Sequence, residues 1–477
     1  MRTLTLAPAF ALSLTCSAWA GDNLPARVGQ ALKNVNIPGA SVAVVVQEAG
    51  ARKPWLQHNA AAAMNPASVM KLVTTYAGLD ILGPAHTWQT TAHSLTPPQD
   101  GVLYGDLYLK GSGDPRLSFE QFWLLLRQLR ASGLREIKGG LMLDRSAFTL
   151  GPGEPTVVNG GSGNDVPFDD QPLRPYNVKP DALLLNWKSV RLQLDIGDDK
   201  LQIQAEPQPA NLYLISQVTL TDGVCGDWRS RLRADVSPHP DRFHLVITGS
   251  YARSCGKQHW HLGVLDHPQY VYGVFRQLWE ELGGSIAGAP GDARVPPSAM
   301  QLAGIESPPL AELIRDINKF SNNVMTRQLY LSLGDGSPAG AANAVRLWLD
   351  RKSLRMPELV LDNGSGLSRS ERISAQSIAA LLNSAWQSPL MPEFVASLPI
   401  TGVDGTMKKR LRDNGAFGQG HIKTGTLDGV KTIAGYVRDR KGKWQIVVFL
   451  INHPNAAAGQ GAQDALLNWV VEGVPER

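Results

Sequence analysis

Cysteine is nearly missing from this sequence. Only Cys16, Cys225 and Cys255 occur in 477 residues, which excludes a disulfide-stapled miniprotein. Charge is sparse as well: 18% of residues are charged, and 46 Lys+Arg almost cancel 42 Asp+Glu to leave +4. A duplex-binding protein concentrates far more basic charge than that, so nucleic acid is not the expected partner. Beyond the first 20 residues no run of 18 apolar residues occurs, so nothing there reads as a membrane span. The ten histidines form no triad with a serine, and neither a Gly-x-Ser-x-Gly elbow nor a His-Glu-x-x-His zinc pair is present. What the chain has instead is 43% hydrophobic residues, 47 Gly and 32 Pro, enough for a large core cut by many turns. At roughly 150 residues per domain, this length suggests about three domains.

The first 20 residues begin Met1-Arg2-Thr3, continue through an apolar stretch from Leu4 to Leu14 and end Ala18-Trp19-Ala20 before Gly21. A basic start, short apolar core and small-x-small site predict a secretory signal peptide cut after Ala20, hence export to the periplasm. Ser13-Leu14-Thr15 before Cys16 is a poor lipobox, so a soluble product is expected. The mature chain then keeps Cys225 and Cys255, and an isolated pair in an oxidising compartment usually bridges. Cys255, His259 and His261 raise the alternative of a metal, but their spacing matches no zinc pattern with a second arm.

Residues 24–34 look helical, 40–46 form a β-rich run, and Trp55-Leu56-Gln57 suits a hairpin partner. Ser68 to Leu82 reads as a helix apolar on nearly every side, and such a helix is buried. From about 85 to 290 the texture changes to short β-like runs between Gly/Pro clusters, interrupted by one helix from Phe119 to Ser132. Helical patterns return at 269–282, 309–333, 339–352 and 375–386. A hairpin of 431–437 and 443–451 and a helix over 463–471 close the chain.

Three short motifs carry chemistry. In Ser68-Val69-Met70-Lys71 the hydroxyl and amine are three residues apart, on one helix face. Burial disfavours a charged Lys71, which turns its amine into a base for Ser68. Ser321-Asn322-Asn323 lies in the later helical region, and Lys423-Thr424-Gly425-Thr426 precedes the final hairpin, where Gly425 permits close approach of a ligand backbone. Each alone is also what a snorkelling lysine or a helix cap produces. In this order and on these elements, the set is the signature of penicillin-binding proteins and class A β-lactamases.

The chain resembles the penicillin-binding protein 4 family, the D-alanyl-D-alanine carboxypeptidase/endopeptidases of peptidase type S13. Besides the three motifs, the likeness rests on Asn65-Pro66-Ala67-Ser68, Gly111-Ser112-Gly113-Asp114-Pro115 and Leu141-Met142-Leu143-Asp144. Later in the chain it includes the segment from Asp362 to Arg369, Leu398-Pro399 and the segment from Gly402 to Thr406. The separation of 253 positions from Ser68 to Ser321 matches that family's large insert. The resemblance implies a mixed α/β protein with a split penicillin-binding/β-lactamase-like catalytic domain, an antiparallel sheet flanked by helices. Into it is set a large, mostly β, two-domain insertion. The expected division is catalytic over 21–84 and 290–477, inserted domain II over 85–150 and about 255–289, and inserted domain III over 151–254.

The resemblance also implies roles. Ser68 attacks the carbonyl between two D-alanines and Lys71 accepts its proton. Ser321 relays a proton to the leaving amine, and Asn323 holds Lys71 and the substrate amide. Lys423 and Thr424 bind the terminal carboxylate, and the backbone N–H groups of Ser68 and Thr426, beside Gly425, make an oxyanion hole. Asp170, Tyr176 and Arg369 are candidates for a pocket that takes the stem-peptide diamino acid. Peptidoglycan stem peptides ending in D-Ala-D-Ala are the expected partners, with β-lactam antibiotics as covalent inhibitors; no cofactor, metal or membrane anchor is implied, and a homodimer is left open. Two other readings are a β-lactamase and a catalytically dead peptidoglycan-binding relative. Glu358 and Glu371 lie between the later motifs, but neither has the class A Glu-x-x-x-Asn setting. His421 is two residues from Lys423 on an alternating strand, and reads as a rim residue.

Overall fold

The computed structural model describes residues 24–150, 168–169, 171–198 and 200–473. The expected signal peptide, Cys16 and Asp170 lie outside the described residues.

A five-stranded antiparallel sheet joins both ends of the chain. Its order is Gly420–Leu427, Val430–Arg438, Trp444–Asn452, Val42–Glu48 and Leu56–His58. Because successive side chains on a strand point to opposite faces, the run Val42–Val46 is apolar throughout yet serves two cores. Ala43 and Val45 face the cluster around the helix Lys71–Ile81, whereas Val42, Val44 and Val46 face the helices Ala26–Asn34 and Gln460–Glu472. The result is a helix–sheet–helix sandwich, with Gly420–Leu427 as an edge strand whose first residues bond to Pro399–Thr401.

Between Ile81 and Leu310 the chain builds separate β material. One sheet runs in the order Pro290–Asp292, Leu141–Asp144, Leu107–Gly111, Gln89–Ser94 and Met300–Glu306. Two three-stranded sheets follow, one of Gln258–Leu262, Val190–Ile196 and Leu201–Glu206, the other of Leu212–Thr221, Phe243–Ala252 and Leu232–Pro238. They share a core with the helices Phe119–Ala131 and His267–Glu281. Cys225 and Cys255 form a disulfide with a Cα–Cα distance of 4.7 Å. Among the described residues no group of three or more His, Cys, Asp or Glu side chains could hold a metal ion. None of their helices is long and apolar enough to cross a membrane.

Three expectations about the elements need correction. The expected continuous helix over 309–333 is two helices, Leu310–Lys319 and Asn323–Ser332. Ser321 takes a left-handed φ of 56°, Asn322 N–H donates back to Ile317 O at 3.1 Å, and the Asn322 side chain caps the second helix through Met325 N–H. The buried helix likewise begins as a 3₁₀ turn, Ala67–Met70, and becomes α-helical only at Lys71. Finally, Pro290–Asp292 and Met300–Glu306 hydrogen-bond into the inserted sheet, and Gln258–Leu262 pairs with Val190–Leu194. The chain therefore leaves the inserted sheets after Glu306 instead of at 290, and the Val190–Ile196 sheet extends past 254.

Candidate active site

The helix Lys71–Ile81 is buried from Lys71 to Leu79 and packs against Leu310–Lys319 and Asn323–Ser332. Burial of an apolar helix on all sides fixes it in the core and leaves its N-terminal turn pressed against the edge strand Gly420–Leu427. The contact is close. A Cβ on Gly425 would stand 2.8 Å from Pro66 O and 2.9 Å from Ser68 N and would run into the Thr432 hydroxyl. The same Thr432 hydroxyl donates to Pro66 O at 2.7 Å. From the other side, Gly366 (φ +81°) sits against the Ala67 carbonyl, where a side chain has no room. Ser68 is thus clamped between a strand and a loop.

Lys71 is wholly buried, and its Nζ reaches three oxygens: Ser68 Oγ at 3.1 Å, Asn323 Oδ1 at 2.6 Å and Ser365 O at 2.5 Å. Burial pulls its pKa well below the usual lysine value, and the nearby Lys423 charge adds to that. Lys423 is buried too and donates to Ser321 Oγ at 2.9 Å and Thr424 O at 2.7 Å. Its pKa falls to about 7, again through burial. Among the described residues neither lysine has a carboxylate within 4 Å, so neither amine is directly ion-paired and Glu371 acts on Lys71 only at longer range. Such a site favours a bound anion.

Supporting contacts come from three loops. Asn65, just before the nucleophile, accepts from Ala67 N–H at 2.8 Å and donates to Ser368 O at 2.9 Å. The Asp362–Gly366 loop that presents Ser365 O is held by Glu371, whose Oε1 accepts N–H bonds from Asp362, Asn363 and Gly364 at 3.3, 3.2 and 2.8 Å. Burial pushes the Glu371 carboxyl up to about 7. The Thr424 hydroxyl bonds the Thr406 hydroxyl at 2.7 Å.

Hydrogen bonds join Ser68, Lys71 and Asn323 and join Lys423 to Ser321, and the strand that carries Lys423, Thr424, Gly425 and Thr426 packs on the Ser68 turn through Gly425. The insert candidates are less unified. Tyr176 donates to Asp169 Oδ2 at 2.6 Å, and the Arg369 guanidinium lies 4.7 Å over the Phe168 ring while donating to Asp428 O at 3.1 Å. Both therefore meet the segment Phe168–Asp169. The Tyr176 turn borders the helix that begins at Asn323, where Arg327 donates to Val178 O at 3.4 Å. His421 is half-buried, with Nδ1 at 3.1 Å from Val395 O and its ring beside Trp444, away from the motif contacts. Ser365, Glu371 and Thr406 are contacts the motif reading missed. The Asp362–Arg369 and Gly402–Thr406 segments were the signal, but Ser365 acts through its carbonyl and Glu371 on backbone N–H groups, which sequence does not display, and only Thr406 acts through a side-chain hydroxyl bonded to another side chain.

Residues 24–472 match the D-Ala-D-Ala carboxypeptidase 3 (S13) family. A D-alanyl-D-alanine carboxypeptidase of Actinomadura sp. strain R39 is 28% identical over 454 residues, covering 91% of this chain and 82% of the relative. The D-alanyl-D-alanine carboxypeptidase DacB of Haemophilus influenzae is 25% identical over 427 residues, 87% of this chain and 86% of that one. The crystal structure of penicillin binding protein 4 from H. influenzae superposes with a TM-score of 0.76 at 23% identity, covering 93% of this chain and 99% of that one, and so shares the fold. A second structure of that protein, in complex with a β-lactam, gives a TM-score of 0.72 at 22% identity over the same shares of the two chains. By the match over almost its whole length, the chain belongs to the D-Ala-D-Ala carboxypeptidase 3 (S13) family.

Proposed function

We propose that this protein is a serine D-alanyl-D-alanine carboxypeptidase that works through an acyl-enzyme on Ser68. The observation that carries the mechanism is the set of oxygens around Lys71. A neutral amine has two N–H groups and one lone pair. Asn323 Oδ1 and Ser365 O are obligate acceptors and take both hydrogens, which leaves the lone pair for the Ser68 hydroxyl. Lys71 is therefore set to receive the Ser68 proton as Oγ attacks the carbonyl. The oxyanion that develops is met by the backbone N–H groups of Ser68 and Thr426, and losing one such donor typically costs about 2.7–4 kcal/mol of transition-state stabilisation. Ser321, between Lys423 and the leaving group, passes a proton to the departing amine. Lys423 and Thr424 hold the terminal carboxylate of the substrate, and water then hydrolyses the ester.

The substrate class is a peptidoglycan stem peptide ending in D-Ala-D-Ala, met in the periplasm after export. β-Lactams mimic that dipeptide and acylate the same serine. Tyr176 and Arg369, which both meet the segment Phe168–Asp169, are the side chains offered to the stem diamino acid. The sandwich acts as a catalytic domain split around the inserted β domains. A β-lactamase reading gains nothing from the two glutamates: Glu371 is committed to loop N–H groups, and Glu358 accepts from Ser374 N–H and the Ser377 hydroxyl. The test is incubation with penicillin followed by intact-mass measurement, alongside D-alanine release from a pentapeptide. A persistent adduct that vanishes in Ser68→Ala, together with D-alanine release, is expected. Turnover of penicillin without an adduct, or D-alanine release by Ser68→Ala, overturns the assignment.

A further inference from the structure

Two segments of the sequence take no part in the catalytic contacts: Gly111-Ser112-Gly113-Asp114-Pro115 and Leu141-Met142-Leu143-Asp144. They adjoin in the five-stranded inserted sheet, where Leu107–Gly111 and Leu141–Asp144 pair in parallel. Both meet residues 181–183. Gly113 N–H donates to Ala182 O at 2.8 Å, and a Cβ on Gly111 would stand 2.1 Å from that same carbonyl. Glycine at 111 therefore lets the chain at 182 lie directly against the strand end. Arg145, next after Asp144, lies 2.5 Å from one Asp181 carboxylate oxygen, and the other accepts from Leu183 N–H at 2.9 Å.

What Asp181 presents to the catalytic helices is its backbone. Gln328, wholly buried on the helix Asn323–Ser332, accepts from Asp181 N–H at 2.9 Å and donates to Asp181 O at 2.8 Å. Its Nε2 also lies 3.4 Å from Asp114 O. One side-chain amide thus pairs with both backbone groups of one residue, as a neighbouring strand would. Hydrogen bonds are directional, whereas the apolar packing of Met325 and Leu329 in the core is not. Gln328 is therefore what fixes the rotation and axial position of its helix. That helix needs fixing, because the left-handed turn at Ser321 interrupts it from Leu310–Lys319. On the far side of the turn, Arg116 braces the preceding helix through Asp316 at 2.9 Å.

Resting on the roles proposed for Asn323 and Lys71, we infer that Gln328 is a positioning residue for acylation. Its grip on Asp181 sets the helix that presents Asn323, and through Asn323 the aim of the Lys71 amine at Ser68. Gln328 follows Asn323 by five positions, about 7.5 Å along a helix axis, so a shift or rotation at one is carried to the other. Asn323 Oδ1 takes one of the two Lys71 hydrogens at 2.6 Å. When that oxygen moves, the amine turns with it and the lone pair leaves the Ser68 hydroxyl. A misplacement of about 1 Å from a remote substitution can cost on the order of 100-fold in rate. The end of the inserted sheet is thereby part of the catalytic geometry, and it acts on the reacting atoms only through Asn323.

The experiment is a double-mutant cycle on the full mature protein, with Gln328→Met, Asn323→Ala and the two combined. Acylation by a chromogenic cephalosporin and D-alanine release from a pentapeptide are both measured. Gln328→Met should lower the limiting acylation rate and kcat at least tenfold. The dissociation constant of the initial cephalosporin complex and KM should stay within twofold, because Lys423 and Thr424 are untouched. In the Asn323→Ala background the same substitution should change the rates less than twofold, since the residue it positions is gone. Should Gln328→Met fail to fold, Arg145→Gln releases Asp181 from the other side of the same contact. Its side chain is 23% exposed, and a severalfold loss that vanishes in Asn323→Ala is expected of it. An equal loss in both backgrounds, a loss confined to KM, or no loss at all overturns the positioning role. A wild type that neither releases D-alanine nor is acylated instead refutes the acyl-enzyme reading itself.

Discussion

Replacing Glu371 with glutamine separates its charge from its shape. Glu371 is fully buried, and Oε1 holds the N–H groups of residues 362–364, the loop whose Ser365 carbonyl accepts from Lys71 at 2.5 Å. Glutamine keeps the acceptor and so keeps the loop. It removes a negative charge that raises the Lys71 pKa against the pull of burial. From Oε1 through Gly364 and Ser365 to Lys71 Nζ the path spans two peptide units, which places the charges on the order of 8 Å apart. At an effective dielectric of about 20 that distance corresponds to about 2 kcal/mol, an upper limit near 1.5 pH units. Burial pushes the Glu371 carboxyl up to about 7, so it is only partly ionised near neutral pH. The observable displacement is therefore on the order of one pH unit. Its sign follows from Lys71 acting as the neutral amine: acylation rises with pH as Lys71 loses its proton, and a lower Lys71 pKa moves that rise to lower pH. Stopped-flow acylation by a chromogenic cephalosporin from pH 5 to 9 reads it directly. An acid limb that stays in place, or moves to higher pH, would refute the argument. Glu371→Ala provides a contrast, since it strands three loop N–H groups and should cost about 2–3 kcal/mol of stability along with activity.

The remaining predictions probe other parts of the same site. Asn323→Asp puts a carboxylate 2.6 Å from Lys71 Nζ, favours the ammonium form and should move the acid limb to higher pH, cutting acylation at pH 7 about tenfold or more; an unshifted limb would argue against Lys71 as base. Gly425→Ala forces the edge strand away from Ser68 N and Thr432 and should lower acylation at least about 100-fold, by the typical loss of one oxyanion donor, while the thermal transition is retained. Full activity would show that the strand has room to move. Cys225→Ser/Cys255→Ser opens a loop closed by residues 30 apart and should cost about 3–4 kcal/mol in chemical denaturation, with penicillin acylation unchanged at 25 °C. Lost acylation in the folded variant would mean that the inserted β domain couples to Ser68.

Much of the site was legible because its chemistry sits in side chains with fixed spacing. Ser68 and Lys71 are one helical turn apart, and that spacing survives the change from 3₁₀ to α geometry at Lys71. The central strands were legible for a different reason. Val42–Val46 is apolar at every position because both faces of the sheet are covered. The insert was harder to divide, since Pro290–Asp292 and Ser285–Ile286 are too short to show any alternation and are fixed only by partners far away in sequence. The cradle of Lys71 was illegible in a deeper sense. Ser365 contributes a carbonyl that any residue carries, and Glu371 acts on backbone N–H groups.

The break in the helical stretch near Ser321 shows what periodicity hides at such a place. Apolar spacing continues from Leu310 to Leu331 as if through one helix, and the core-facing residues of both halves do pack together. A continuous helix would keep residue 321 in register with its neighbours, committing its backbone to the i to i−4 ladder. The left-handed turn at Ser321 instead stops the first helix and restarts the second at Asn323, so one segment supplies a hydroxyl to Lys423 and an amide to Lys71. Ala67, with φ 45°, is a second left-handed residue, opening the 3₁₀ turn directly ahead of Ser68. Each such residue costs of order 1–3 kcal/mol. Each lies one helical turn from wholly buried residues, Met70 and Lys71 after one, Ile317 and Asn318 before the other. The core holds the backbone in those conformations, and so the two reactive hydroxyls stand at the margin of the buried cluster around the helix Lys71–Ile81.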